Sequence, residues 1–184
     1  HSYFDPRTFI ETNTIGALNV AQACKENEVE RMVHTSSSEI YGTAQHVPIT
    51  EDHPVAAQSP YAASKIGADQ LVLSFTRSLD LRATVVRPFN TDGPRQSARS
   101  VIPTIISQAL VGDVIKLGSL GPRRDFNYVT DIVRGFIHLG TSDRTLSEAI
   151  QLGTGQDISI QELVEELSDV MDRQLIVETD ESRV

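Results

Sequence analysis

Tyr61 and Lys65 are the first pair in this sequence whose types and spacing could do chemistry. Four residues is about one helical turn, so on a helix both side chains stand on one face. A phenol titrates near ~10, and acting as a base at neutral pH requires lowering it by ~3 units, worth ~4 kcal/mol of differential interaction. An ammonium one turn away supplies part of that. Upstream, Ser36-Ser-Ser-Glu-Ile-Tyr-Gly42 sets hydroxyls and a carboxylate side by side. A hydroxyl such as Ser37 can hydrogen-bond a substrate oxygen that loses its proton. Each residue also has a plain use: a capped, solvated loop for the serines, a core-edge aromatic for Tyr61, a solvated helix face for Lys65.

These side chains need elements to hold them. Residues 31–35 read as a short buried strand running into the serines. Ser59-Pro60 is an N-cap followed by proline at the first helical position, so Tyr61 falls in the first turn of a helix with Ala62, Ile66 and Leu73 on one face. Residues 83–87 read as the next strand. Ahead of both lies a helix over residues 6–27, with Ile10, Ala17, Ala21 and Cys24 as its stripe. A turn-rich loop over residues 88–100 precedes a helix bearing Ile102, Ile105, Ile106, Ala109 and Leu110. Short strands are expected at Val114–Leu117, at 126–129 and at Ala149–Leu152, with a helix over 131–139. Ser159 and Glu162 spell a capping box, Ile158 can staple against Leu163, and Ile160, Leu163, Val164, Leu167 and Met171 form the stripe behind them.

Strand and helix in alternation give an α/β class with a largely parallel sheet. The composition shift after Asn90 suggests two parts, residues 1–92 and a second lobe over 93–184. Ligands of such sheets bind beyond the carboxyl ends of the strands, hence just after Thr35 and Val86.

Composition limits the partners. Sixteen Lys and Arg against twenty-five Asp and Glu give a net charge of −9, which argues against a phosphate-tracking nucleic-acid surface. No apolar run approaches the ~18 residues of a membrane span. Cys24 is the only cysteine, which excludes an internal disulfide or a multi-cysteine metal site and fits a reducing, cytoplasmic setting. His34, His46, His53 and His138 are scattered without ligand spacing, so no metal is expected. The text opens at His1 directly into a helix, without a signal peptide, and reads as a piece of a longer chain.

Four ordered motifs carry a resemblance: the Ser36 to Gly42 stretch, Ser59-Pro-Tyr-Ala-Ala-Ser-Lys65, Arg87-Pro-Phe-Asn90 with Gly93-Pro-Arg95, and Arg124-Asp-Phe-Asn-Tyr-Val-Thr-Asp131. Together they resemble the extended short-chain dehydrogenase/reductase family, specifically its NAD-dependent nucleotide-sugar epimerases and dehydratases. Gly42-Thr-Ala-Gln45, Ser64-Lys-Ile-Gly-Ala-Asp69 and Pro94-Arg-Gln-Ser-Ala98 look most like the UDP-N-acetylglucosamine 4,6-dehydratases of legionaminic-acid-type pathways.

The resemblance implies a Rossmann-type sheet with a smaller substrate-binding lobe. Tyr61 would be the base for the sugar 4-hydroxyl, Lys65 its electrostatic partner and ribose ligand, and Ser37 the residue that orients that hydroxyl. Ser38 and Glu39 would eliminate water across C5 and C6 after hydride has passed from C4 to NAD, and hydride would return to C6. Ser36, Tyr61, Lys65 and Pro88 would lie against NAD, with Asn90 and Arg124 on the UDP-sugar substrate. Asn13 matches a position near the active site, and the first helix would contribute to a homodimer.

Two departures stand out. No Gly-x-Gly-x-x-Gly turn occurs, so the first dinucleotide-binding half is expected upstream of His1. Asp92 stands where relatives usually carry Tyr. A 4-epimerase, a UDP-glucuronate decarboxylase and a catalytically silent fragment remain alternatives.

Overall fold

The computed structural model describes residues 2–180. In chain order, α1 (Pro6–Phe9) passes through a π-helical stretch (Ile10–Ile15) into α2 (Gly16–Glu26), followed by β1 (Met32–Thr35), a 3-10 turn (Ser38–Tyr41), α3 (Pro60–Leu79) and β2 (Ala83–Pro88). Then come β3 (Asn90–Asp92), α4 (Val101–Ala109), β4 (Val114–Leu117), β5 (Arg123–Arg124), β6 (Phe126–Tyr128) and α5 (Val129–Thr141). A second 3-10 turn (Asp143–Thr145), β7 (Ala149–Leu152), β8 (Ile158–Ser159), α6 (Ile160–Met171) and β9 (Ile176–Thr179) complete the order.

The chain forms two compact units. One runs to Phe89 and is completed by Thr130–Gly153; the other comprises Asn90–Val129 and the chain from Thr154 onward. This differs from a single crossing at residue 92, because the chain returns to the first unit. A strand pair causes the return: β2 lies between β1 and β7 in an all-parallel sheet, with Met32 opposite Ala83 and Val85 opposite Ala149. Ala83, Thr84, Val85 and Val86 are all buried. A strand covered on both faces reads as a continuous apolar run rather than an alternating one, as this one does.

In the first unit, Ala17 and Ala21 of α2 pack with Ala68 and Val72 of α3 and Val85 of β2. Ile10, expected on the same stripe, is exposed. Ile10 opens the π-helical stretch, whose wider i to i+5 bonding departs from the 3.6-residue period on which that stripe was drawn.

The second unit has its own core, in which Ile105 and Ala109 of α4 meet Ile115 and Leu117 of β4 and Leu163 and Val164 of α6. Truncating a fully buried isoleucine such as Ile115 to Ala costs about 2–5 kcal/mol. The expected capping box is present: Glu162 N donates to Ser159 Oγ at 3.1 Å, and Ser159 N donates to Glu162 Oε2 at 2.6 Å. Three short pairings give this unit its strands: β3 with β6, β4 with β9, and β5 with β8. β3, β5, β8 and β9 were not expected from the sequence. Ile106 and Leu110, expected on the buried stripe of α4, are exposed; they lie on a second apolar face that borders a groove.

Candidate functional site

In the first unit the site grows out of the end of β1. Ser36 N still donates to Val86 O at 2.7 Å, extending the parallel ladder by one residue. The Ser36 hydroxyl is buried and makes no hydrogen bond among the described residues. Ser37 is extended and caps the 3-10 turn, its Oγ accepting from Glu39 N at 3.2 Å. That leaves the Ser37 hydroxyl proton free to be donated. Gly42 closes the turn at φ +64°, and a Cβ there would stand 2.3 Å from Ala56 O, so glycine is required twice over. Ala56 N donates to Ile40 O at 2.9 Å and holds the turn from the other side.

Helix α3 begins as the sequence predicts. Ala62 N donates to Ser59 Oγ at 3.1 Å and Pro60 occupies the first helical position. Tyr61 follows one residue later; the Ser37 side chain is near enough to act on its phenol, and the Phe9 ring meets it edge-on at 6.0 Å. Lys65 Nζ donates to Thr35 O at 2.9 Å. Asn13, on the π-helical stretch, donates through Nδ2 to Ser64 Oγ at 2.9 Å, and Ser64 Oγ donates to Tyr61 O at 2.7 Å. Thr14 Oγ1 donates to Ser64 O at 3.0 Å. The irregular helix thus grips the turn of α3 that bears Tyr61 and Lys65. π-helical segments are frequent at functional sites, and this one gives Asn13 a positioning contact.

The electrostatics differ from the sequence expectation. The Tyr61 phenol is held above its ordinary value of 10.0, mainly by burial; the Ser37 hydrogen bond works the other way and the Glu39 charge adds to the rise. Burial lowers the Lys65 ammonium, against a smaller upward pull from Asp69. Desolvation therefore outweighs the expected acidification of Tyr61, and its conversion to a base needs a further positive charge close by.

Asn90 and Arg124 belong to the second unit. Asn90 opens β3 opposite Phe126 of β6, and Arg124 precedes Phe126 by two residues. The two neighbouring arginines differ in what they face. Arg123 is paired with Asp157 at 3.1 Å and Glu162 at 3.0 Å. Arg124 donates only to Arg123 O, at 2.7 Å, and has no carboxylate partner among the described residues, so its charge is open to an anion. Asp125 fixes the backbone beside it, accepting from Thr154 N, Thr154 Oγ1, Gly155 N and Asn127 Nδ2 at 2.8–3.1 Å.

A mostly apolar groove of about 640 Å³ lies in this unit, bordered by Asp92, Gly93, Ile102, Ile106, Leu110 and Tyr128 among others. A Cβ on Gly93 would stand 2.6 Å from Val129 Cγ1. Burial raises the Asp92 carboxyl, with the Gln96 side chain opposing. The sequence did not reveal the groove; its only signal was a helix, α4, apolar on more faces than one core can cover. Ser36, Ser37, Ser38, Glu39, Tyr61, Lys65 and Pro88 all lie in the first unit. Among the described residues no group of three or more His, Cys, Asp or Glu is arranged to hold a metal, and no helix is long and apolar enough to cross a membrane.

The family model described as GDP-mannose 4,6 dehydratase matches residues 1–184. The chain belongs to that family. It is an extended short-chain dehydrogenase/reductase of the nucleotide-sugar epimerase/dehydratase kind, with the Rossmann-type fold of its structural neighbours. Among the relatives, dTDP-glucose 4,6-dehydratase of Streptomyces griseus is 34% identical over 89% of this chain and 50% of its own. A UDP-N-acetylglucosamine 4-epimerase structure from Methanobrevibacter ruminantium superposes with TM-score 0.89 at 33% identity, over 97% of this chain and 59% of that one. The dTDP-glucose 4,6-dehydratase DesIV of Streptomyces venezuelae, solved with NAD bound, gives 0.87 at 28% identity over 100% of this chain and 58% of its own. The chain spans about half the length of the curated relatives it matches.

Proposed function

We propose that this chain carries the proton-transfer residues and part of the substrate-binding unit of an NAD-dependent nucleotide-sugar 4,6-dehydratase acting on a UDP-sugar of the N-acetylglucosamine type. The observation that carries the reading is Glu39: exposed, on a turn capped by Ser37, and close enough to Tyr61 for its charge to raise the phenol. Exchange of configuration at C4 needs no carboxylate there, whereas elimination across C5 and C6 does.

The residues present suit a dinucleotide. Ser36 offers a buried hydroxyl without a partner, Lys65 spends one of its three donors on Thr35, and Tyr61 lacks the positive charge that would acidify it. Ser36, Tyr61, Lys65 and Pro88 would hold the cofactor. When bound, NAD supplies the hydride acceptor for C4 and the hydride donor for C6. Ser37 donates to the sugar 4-oxygen and orients it, while Tyr61 takes the hydroxyl proton. With C4 a ketone, the C5 proton is α to a carbonyl and is removed by the Glu39 carboxylate; that proton passes through Ser38 to the C6 oxygen, which leaves as water, and a solvent proton returns to C5 as hydride reaches C6. Asn90 meets the sugar or diphosphate, and the planar Arg124 guanidinium clamps the diphosphate. Residues 1–92 would act as the NAD-binding part and 93–184 as the substrate-binding part, with Thr130–Gly153 assigned to the first. The full-length protein would be a homodimer through the first helix, where Ile15 and Val20 are exposed.

The test is the full-length protein with NAD and UDP-N-acetylglucosamine in deuterated water. A 4-keto-6-deoxy sugar carrying deuterium at C5 is expected. A C4 epimer without C5 deuterium would replace this reading with a 4-epimerase, the second reading, which the 33% identity to the archaeal epimerase favours. Release of carbon dioxide from UDP-glucuronate would indicate a decarboxylase.

A further inference from the structure

A buried polar chain runs behind the candidate site. Asp69 lies on α3 four residues after Lys65, hence on the same side of the helix, and its side chain is 1% exposed. Its Oδ2 accepts from Arg87 Nε at 3.1 Å. Arg87, the one charged residue of β2, donates through Nη1 to Tyr41 Oη at 2.9 Å, and its guanidinium carbon stands 5.4 Å from the centre of the Tyr41 ring. Tyr41 is fully buried and ends the 3-10 turn that carries Ser38 and Glu39. Gln151 of β7 donates to the same Tyr41 oxygen at 2.8 Å.

Net stability is a weak reason for such groups. A buried ion pair repays its desolvation poorly, and packed hydrophobic residues in its place are often neutral or stabilising. What such a pair gives is direction, because each bond fixes a side chain against a defined partner. Here the bonds lead from the helix bearing Tyr61 and Lys65 through β2 to the turn bearing Ser38 and Glu39. Asp69 Oδ1 keeps hydrogen-bonding capacity in reserve, facing His34 Nε2 at 3.5 Å with neither atom hydrogen-bonded.

We propose that Asp69, Arg87 and Tyr41 are positioning residues: their buried contacts set the distance between the phenol on α3 and the carboxylate on the turn, so that one bound sugar is reached at C4 and C5 together. This rests on the dehydratase reading. Oxidation at C4 would use Tyr61 and Ser37, which lie close together; elimination would use Glu39 against a sugar that Tyr61 already holds. Loosening the network therefore falls on elimination.

Tyr41→Phe keeps the ring and its packing and deletes the oxygen. In the full-length protein the rate of C5 deuterium incorporation and product formation should fall at least about tenfold, the scale on which small misplacements act, with KM for the nucleotide sugar unchanged. Backbone amides of residues 37–42 should exchange faster in hydrogen-exchange mass spectrometry. Gln151→Leu removes one donor to the same oxygen and leaves the ion pair whole, and should show the same pattern more weakly. Wild-type elimination and wild-type exchange in Tyr41→Phe would overturn the proposal. So would a fall in melting temperature with kcat and KM worsening together in both variants, the mark of support for the fold alone. If the wild-type protein forms no C5-deuterated product, the dehydratase reading fails instead, while the exchange measurement still decides whether the network holds the turn.

Discussion

The Lys65 ammonium donates to the main-chain oxygen of Thr35 at 2.9 Å, which ties the helix bearing Tyr61 to the end of the strand from which Ser36 and Ser37 emerge. An ammonium committed this way serves as a fixed point as much as a charge. Lys65→Met should therefore lower turnover by more than the loss of a ribose contact alone, through misalignment of Tyr61. Lys65→Arg, too long and too planar for the same carbonyl, should not rescue it. Full activity in Lys65→Arg, measured as product formation in the full-length protein, would contradict this.

On the proposed function, Tyr61→Phe should abolish turnover and leave nucleotide-sugar affinity nearly intact, since the lost oxygen would act on a proton and not on the diphosphate. Titration calorimetry with substrate, beside an activity assay, separates the two. A large loss of affinity would move Tyr61 from proton transfer to binding.

Glu39→Gln has two expected outcomes. The variant should still oxidise substrate at C4 in a single turnover but neither form the 4-keto-6-deoxy sugar nor take deuterium at C5. It should also shift the Tyr61 phenol. The Glu39 charge raises that phenol, so its neutralisation lowers the pKa, and phenolate appears at lower pH in an ultraviolet titration corrected with Tyr61→Phe. An unmoved titration would place Glu39 too far away to act on the same sugar.

The candidate residues were legible because their signals are local. Ser59-Pro60 starts a helix, a strand ends in serines, and Tyr61 with Lys65 spans one turn. The same holds for the capping box at Ser159 and Glu162. Features decided by distant partners were hidden. Nothing in residues Ile10–Ile15 spells a π-helix; its side chains Asn13 and Thr14 find their acceptors on Ser64. Nothing local in the sequence pairs Asp69 with Arg87 on the next strand. Strands as short as β5 and β8 carry no period of their own. The direction of the Tyr61 shift was missed because burial and Glu39 act through space.

Arg123 and Arg124 offer a paired control. Arg124→Ala should raise the dissociation constant for the nucleotide sugar if Arg124 is the proposed charge-assisted clamp. Arg123→Ala should leave that constant near wild type and lower the melting temperature slightly, since its exposed pairs with Asp157 and Glu162 are worth little. Equal effects of the two substitutions on binding would remove the assignment of Arg124.

The start of α6 gives a pH prediction. Ser159→Ala should cost about 1 kcal/mol. Glu162 is held below its ordinary value of 4.5, first by its bond to the Ser159 backbone. A carboxyl lowered on folding contributes stability that is present above its unfolded value and lost as pH falls through the folded one. The melting temperatures of wild type and Glu162→Gln should therefore differ at pH 7 and converge below about 4.5. A gap that stays constant down to pH 3 would mean that the capping box works without charge.

The return of β7 to the side of β2 has a consequence for synthesis on the ribosome. Val85 must wait for Ala149, and everything from Asn90 to Val129 is translated in between. Closing a longer loop adds only about 0.6 kcal/mol per doubling of its length, so insertions in the second unit are cheap at equilibrium. The delay is costly in another way. Until Leu152 emerges, the apolar strand Ala83-Thr-Val-Val86 shows the growing chain's surroundings an open edge, and an open apolar edge pairs with whatever strand it meets. Slower translation between Asn90 and Leu152 would lengthen the time for which that edge stands open.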